Sequence, residues 1–142
     1  MDLLDLERLR RAARVVFERG PVAFAYLFGS TASGRRRPDS DIDIAVYVEP
    51  PVGPNQSLDL QLALGARLES TLQQGEVDLI VLNEAPLALV GRILRERIVI
   101  YCRDEPARVR FESLAFRQFC DFDYHAAGLD RQLLRAIAEG RR

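Results

Sequence analysis

Lysine is absent from this chain: all twenty of its basic residues are arginine. That absence excludes Schiff-base catalysis, a lysyl-AMP intermediate and the lysine of a P-loop. Histidine occurs once, as His125, so no two-histidine metal site can form, and Ser30 has no histidine base close in sequence to complete a Ser-His triad. Cys102 and Cys120, the two cysteines, have seventeen residues between them and form no C-x-x-C pair. Neither a zinc site nor a disulfide framework is indicated, a reducing cytoplasm fits, and both thiols are expected to be small buried residues. No apolar run reaches membrane-spanning length, and Met1 to Arg14 interleaves acids with arginines instead of placing a basic patch before an apolar core. The expectation is a cytoplasmic protein, neither secreted nor embedded. A formal net charge of −1 leaves no global basic field, so direct nucleic-acid binding is not expected. Arg35, Arg36 and Arg37 form the one local basic run, and a charge run in a loop is usually just solvated.

What the sequence does contain is enough apolar material for a core: 48% of 142 residues are hydrophobic, the usual size of a single domain spanning 1–142. Helical spacing of Leu3, Leu6, Leu9, Ala12, Ala13 and Val16 predicts a helix from Leu3 to Glu18, ended by Gly20-Pro21. Val22 to Phe28 is a short apolar and aromatic run, read as a strand, and Asp41 to Val48 is a second strand entered from a polar loop. Pro50, Pro51, Gly53 and Pro54 mark a loop. Leu58 to Gln74 follows as a helix with Leu60, Leu64, Leu68 and Leu72 on one side, stopped by Gly75. Val77 to Leu82 reads as a third strand, Leu87 to Glu96 as a short helix after Pro86, and Arg97 to Tyr101 as a fourth strand that includes Tyr101, as the second includes Tyr47. Helical pattern returns from Pro106. The order indicates an α/β (α+β) domain, helices around one sheet, with a C-terminal helical segment at about 106–140.

Chemistry concentrates in one stretch. Gly29-Ser30 is separated by ten residues from Asp41-Ile42-Asp43. In a strand, side chains two apart share a face roughly 6.6 Å apart along it, so Asp41 and Asp43 can approach one metal pair together. Asp78, an acid interrupting the apolar run Val77 to Leu82, is placed to complete the cluster from a neighbouring strand. Three carboxylates are hard oxygen donors suited to two Mg²⁺ ions, or Mn²⁺, with phosphate and water filling the remaining positions. Gly29 and Ser30 sit where a strand gives way to a helix start, where free backbone N–H groups can receive the β- and γ-phosphates of a nucleoside triphosphate. Taken singly, an acid pair in a strand is usually a solvated edge and a Gly-Ser turn only a turn. Together, the four fixed positions should recur by accident on the order of once in several hundred chains of this length.

Phe28-Gly29-Ser30 through Asp41-Ile42-Asp43, followed by Glu76-Val77-Asp78-Leu79-Ile80, resembles the minimal nucleotidyltransferases of the DNA polymerase beta superfamily. The resemblance covers about residues 5 to 105. It implies a mixed sheet flanked by helices, Gly29 and Ser30 as nucleotide-binding residues, Asp41 and Asp43 as metal ligands, and Asp78 as a third acid able to act as ligand or general base. It further implies ATP as substrate and a HEPN-domain ribonuclease toxin as partner, with AMP transferred to a tyrosine of that toxin. A binding-only antitoxin that covers its toxin without catalysis is the alternative from another class, and an enzyme adenylylating a small molecule such as an aminoglycoside is a second. In the C-terminal segment, Phe111, Phe116, Phe119, Phe122 and Tyr124 place five of eleven aromatics within fourteen residues. Phe111, Leu114, Ala115, Phe119 and Phe122 fall near one helical face, which is either core or a partner surface.

Overall fold

Seven consecutive apolar residues, Val22–Phe28, form strand β1, and all seven are buried. Such a run suits a strand covered on both faces, and β1 is accordingly central. In the computed structural model, which describes residues 3–32 and 41–138 and the side chains of all these except 3, 4, 30, 31 and 122–138, the chain runs α1 (Leu3–Phe17), β1, α2 (Gly29–Ala32), β2 (Ile42–Val48), α3 (Pro54–Leu72), β3 (Val77–Val81), a 3-10 turn (Leu82–Glu84), α4 (Leu87–Glu96), β4 (Ile98–Cys102) and α5 (Glu105–Ala138). Among the described residues, no helix is long and apolar enough to cross a membrane. The strands form one mixed sheet in the order β3-β2-β1-β4. β1 is antiparallel to both β2 and β4, whereas β2 and β3 are parallel, the connection that requires a crossover, here supplied by α3.

Strand alternation sorts the side chains into two cores. Ala25, Leu27, Ile42, Ile44, Val46, Leu79 and Val81 meet Leu9, Val16 and Phe17 of α1 and Leu64, Leu68 and Leu72 of α3. On the opposite face, Phe24, Tyr26, Phe28 and Ala45 meet Val90, Ile93 and Leu94 of α4 and Ala107 and Ala115 of α5. Each large side chain so buried contributes roughly 1.5–3 kcal/mol. Phe24 stacks on Tyr47 at 4.8 Å between ring centroids, and Phe111 of α5 packs on both. Tyr101 meets Phe17 edge-on at 5.7 Å. Tyr47 and Tyr101 thus serve packing.

Several boundaries differ from the sequence reading. α3 begins four residues before Leu58, because Gly53 caps it and Pro54 occupies the first turn, where a missing N–H costs nothing and the fixed φ is already helical. It ends at Leu72, with Gln73 in the left-handed conformation (φ 56°) and its N–H bonded to Glu69 O at 2.8 Å. Leu82 leaves the third strand for the 3-10 turn, where the Asn83 amide donates to Val48 O at 2.9 Å and accepts from Val48 N–H at 3.0 Å, closing the end of β2. Cys120 is exposed and Cys102 half-buried, its thiol donating to Glu105 Oε2, so the cysteines are not a buried pair.

The aromatic face of α5 divides. Phe111 and Ala115 join the core, and Phe119 lies over Gly91 of α4 so closely that a Cβ at Gly91 would overlap its ring. The Arg95 guanidinium sits 5.3 Å from that ring's centroid. Leu114, on the face read as either core or partner surface, is 55% exposed, and Val109 and Phe116 are exposed too. The side chains of Phe122, Tyr124 and His125 lie outside those described. Glu112 fastens α5 to the rest: its Oε2 accepts from Arg108 Nη1 at 2.6 Å, and Arg97 Nε, just past α4, lies 2.7 Å from its Oε1. Glu112 is buried, so its removal leaves the half-buried Arg97 guanidinium without its carboxylate partner, while Arg108 keeps Glu105. Glu112→Ala is expected to lower unfolding free energy by about 2–3 kcal/mol, read as a fall in urea midpoint with an unchanged slope. An unchanged midpoint would show that α5 is held by its aromatic contacts alone.

Candidate active site

The sheet register assembles the site. Phe28, the last residue of β1, pairs with Asp43, and Asp43 pairs in turn with Asp78 across the parallel β2/β3 ladder. Ile42, Ile44, Leu79 and Val81 face α1 and α3, whereas Ala45, Tyr47 and Ile80 face α4 and α5. Alternation therefore puts Asp41, Asp43 and Asp78 on the α4 face together, at the end of the sheet where β1 stops and β2 and β3 start. Asp41 and Asp78 are exposed and Asp43 is half-buried. Gly29 follows Phe28 directly and opens α2, the short helix expected after the strand.

Gly29 is required here on two counts. Its φ is +76°, a region L side chains rarely adopt, and a Cβ would overlap Asp43 Oδ2 and lie 3.2 Å from Asp43 Cγ. The turn is thus pressed against the Asp43 carboxylate. The Ser30 backbone lies in α2, its side chain is outside those described, and Arg35, Arg36 and Arg37 lie outside the described residues.

Electrostatics around Asp43 run against its ionisation. Burial raises its pKa above the usual carboxylate value, and the charges of Asp78 and Asp41 raise it further; Arg92 pulls the other way and Glu96 adds to the rise. Among the described residues, no three acids, histidines or cysteines close into a ready metal cage. The donor set nonetheless suits a hard divalent cation: carboxylate oxygens on one face, whose mutual repulsion such an ion would offset.

Two further charged residues belong to this corner and carried no signal in the sequence. Glu96, in the last turn of α4, accepts the Gly29 N–H on Oε2 at 2.8 Å. Its Oε1 pairs with Arg92 Nε at 3.4 Å. Read along the chain, Arg92 and Glu96 are an ordinary i, i+4 pair on a helix surface. Only the packing of α4 against the sheet brings Glu96 to an amide 67 residues away.

A raised pKa means that ionised Asp43 works against folding. Its contribution is most favourable below the unfolded pKa and is lost as pH rises through the folded one. Asp43→Asn is therefore expected to melt above the parent at pH 7 in chelator, with the gap closing as pH falls into the range where Asp43 is protonated. Calorimetric scans across pH check this; a parent that melts at or above the variant at pH 7 contradicts it.

Residues 13–106 match the family described as "Polymerase beta, Nucleotidyltransferase". None of the curated proteins searched matches the chain. Among solved structures, a toxin–antitoxin complex with AMP-PNP is similar over 91% of this chain and 98% of that one, at 19% identity and a TM-score of 0.67. A tri-AMPylated Shewanella oneidensis HEPN toxin in complex with its MNT antitoxin is similar over 94% of this chain and 99% of that one, at 19% identity and a TM-score of 0.63. A protein described as a minimal nucleotidyltransferase shares 34% identity over 69% of this chain and 95% of its own, with a TM-score of 0.52. The match over most of the chain, on a mixed sheet that carries Gly29, Asp41, Asp43 and Asp78 at one end, places it: the chain belongs to the polymerase beta nucleotidyltransferase family.

Proposed function

We propose that this chain is a metal-dependent protein adenylyltransferase that moves AMP from ATP to a tyrosine of a cognate HEPN ribonuclease toxin, and so acts as the antitoxin of the pair. The observation that carries the reading is the convergence of Asp41, Asp43 and Asp78 on one sheet face beside the Gly29 turn. Similarity to a toxin–antitoxin complex with AMP-PNP and to the partner of a tri-AMPylated HEPN toxin supports the choice of nucleotide and acceptor. Exposed Val109, Leu114 and Phe116 on α5 suit a protein partner better than a small acceptor.

In this reading Asp41, Asp43 and Asp78 would hold two Mg²⁺ ions, or Mn²⁺. When bound, such ions offset the phosphate charge and favour the deprotonated acceptor oxygen. Gly29 lets the backbone come close to the β- and γ-phosphates while its own N–H is engaged by Glu96, and Ser30 would receive the phosphates through its backbone N–H and hydroxyl. A tyrosine hydroxyl, with a pKa of about 10, is mostly protonated at neutral pH. Asp78, exposed at the head of the edge strand, would accept that proton. The tyrosine oxygen then bonds to the α-phosphorus as the bond to pyrophosphate breaks.

Incubation of the protein, ATP and Mg²⁺ with the neighbouring gene product is expected to add AMP to a tyrosine, seen by intact-mass spectrometry and peptide mapping. Asp78→Ala should slow transfer by about 10²–10⁴-fold, the usual worth of a general base, far more than it weakens ATP binding measured by calorimetry. A tight, inactive complex whose toxin mass never changes would establish antitoxin action by binding alone. Transfer to an aminoglycoside but not to protein would move the acceptor to the small-molecule class.

A further inference from the structure

We infer that Glu96 is a positioning residue of this site, acting through Gly29 to fix where the phosphate-binding turn stands relative to Asp43; the inference rests on the transfer reading above for its kinetic consequence and on geometry alone for its structural one. Gly29 is buried and in contact with the Asp43 carboxylate, so the place of the Gly29 backbone and the place of Asp43 are one variable. That backbone is also held by the carboxylate of Glu96, which accepts the Gly29 N–H at 2.8 Å. A hydrogen bond from an amide to an ionised acceptor is among the stronger and more directional contacts available. Glu96 is itself held: it ends α4, whose Ile93 and Leu94 are buried against the sheet, and its second oxygen pairs with Arg92 one turn back. The path runs from the core through the last turn of α4 to Gly29 and then to Asp43. α2 is only four residues long and offers little rigidity of its own.

This arrangement gives Glu96 a purpose that its charge alone would argue against. A fourth carboxylate beside Asp41, Asp43 and Asp78 raises the cost of ionising Asp43 and would repel a triphosphate. The Gly29 hydrogen bond is a role that needs an acceptor oxygen at this point but does not need the full negative charge. Glutamine should therefore stand in for it and alanine should not.

The test compares Glu96→Gln and Glu96→Ala in the full chain with two readouts. The first is hydrogen exchange of the Gly29 amide by NMR, without nucleotide: parent and Glu96→Gln are expected to protect it, and Glu96→Ala to lose most of that protection. The second is AMP transfer at saturating ATP: Glu96→Ala is expected to lose on the order of 10²-fold in kcat, as for a misplacement near 1 Å, with ATP affinity held or improved, and Glu96→Gln to recover most of the loss. A Gly29 amide still protected in Glu96→Ala overturns the inference, and so does a Glu96→Gln variant as slow as Glu96→Ala. A parent that transfers no AMP defeats the proposed function but leaves the exchange experiment as a decision on the clamp.

Discussion

Pairing of β1 with β2 is the constraint on which the site depends. Because Phe28 stands opposite Asp43, the chain leaves β1 beside the acid and has to turn there; because the turn is pressed onto the carboxylate, only glycine fits. One residue of slip would send Asp43 to the α1/α3 face, into an apolar core, and would exchange every inward and outward side chain of β2. The buried alternation of Ile42, Ile44, Val46 and Val48 against that core resists the slip, so hydrophobic packing on one face fixes the placement of charge on the other.

The acids sit at the margin of the sheet and not in its middle, which follows from the same energetics. Asp43 is already half-buried and disfavoured as an anion; deeper burial would neutralise it, and full exposure would leave it without fixed geometry. Placing the cluster where β2 and β3 begin keeps Asp41 and Asp78 exposed while the ladder sets the backbones of Asp43 and Asp78 and starts one residue after Asp41. Glu69 from α3, accepting the Val77 N–H at 2.8 Å, steadies the start of β3 just before Asp78.

The two helical layers do different work. α1 and α3 supply a largely apolar cover, to which Glu69 adds its bond from the Val77 N–H and Arg10 its bonds to Val99 O. α4 carries both a buried face and, in its last turn, the Glu96 and Arg92 pair that reaches the Gly29 turn. α5 braces α4 through Phe119 on Gly91 and through Glu112 with Arg97, so the position of Glu96 is linked to the C-terminal helix while Val109, Leu114 and Phe116 remain on its open side.

Local pattern was sufficient for the elements whose signal is local. The seven-residue apolar run of β1, the leucines of α3 and the period of α4 each announce their structure within a few residues, and the Gly-Ser and Asp-x-Asp spacing marks the site because all its residues lie near one another in the chain or on a recognisable strand. Pro54 was misread as loop because proline both breaks a helix and opens one, and only the course of the chain before it distinguishes the two. Tertiary structure decided what depends on facing partners: that Leu114 and Cys120 look outward on a helix with apolar residues on several sides, that Gly91 makes room for Phe119, and that Glu96 meets Gly29. None of these is encoded in spacing along the chain. Each arises when two elements, far apart in sequence, bury their apolar faces against the same sheet and bring along the polar groups at their ends.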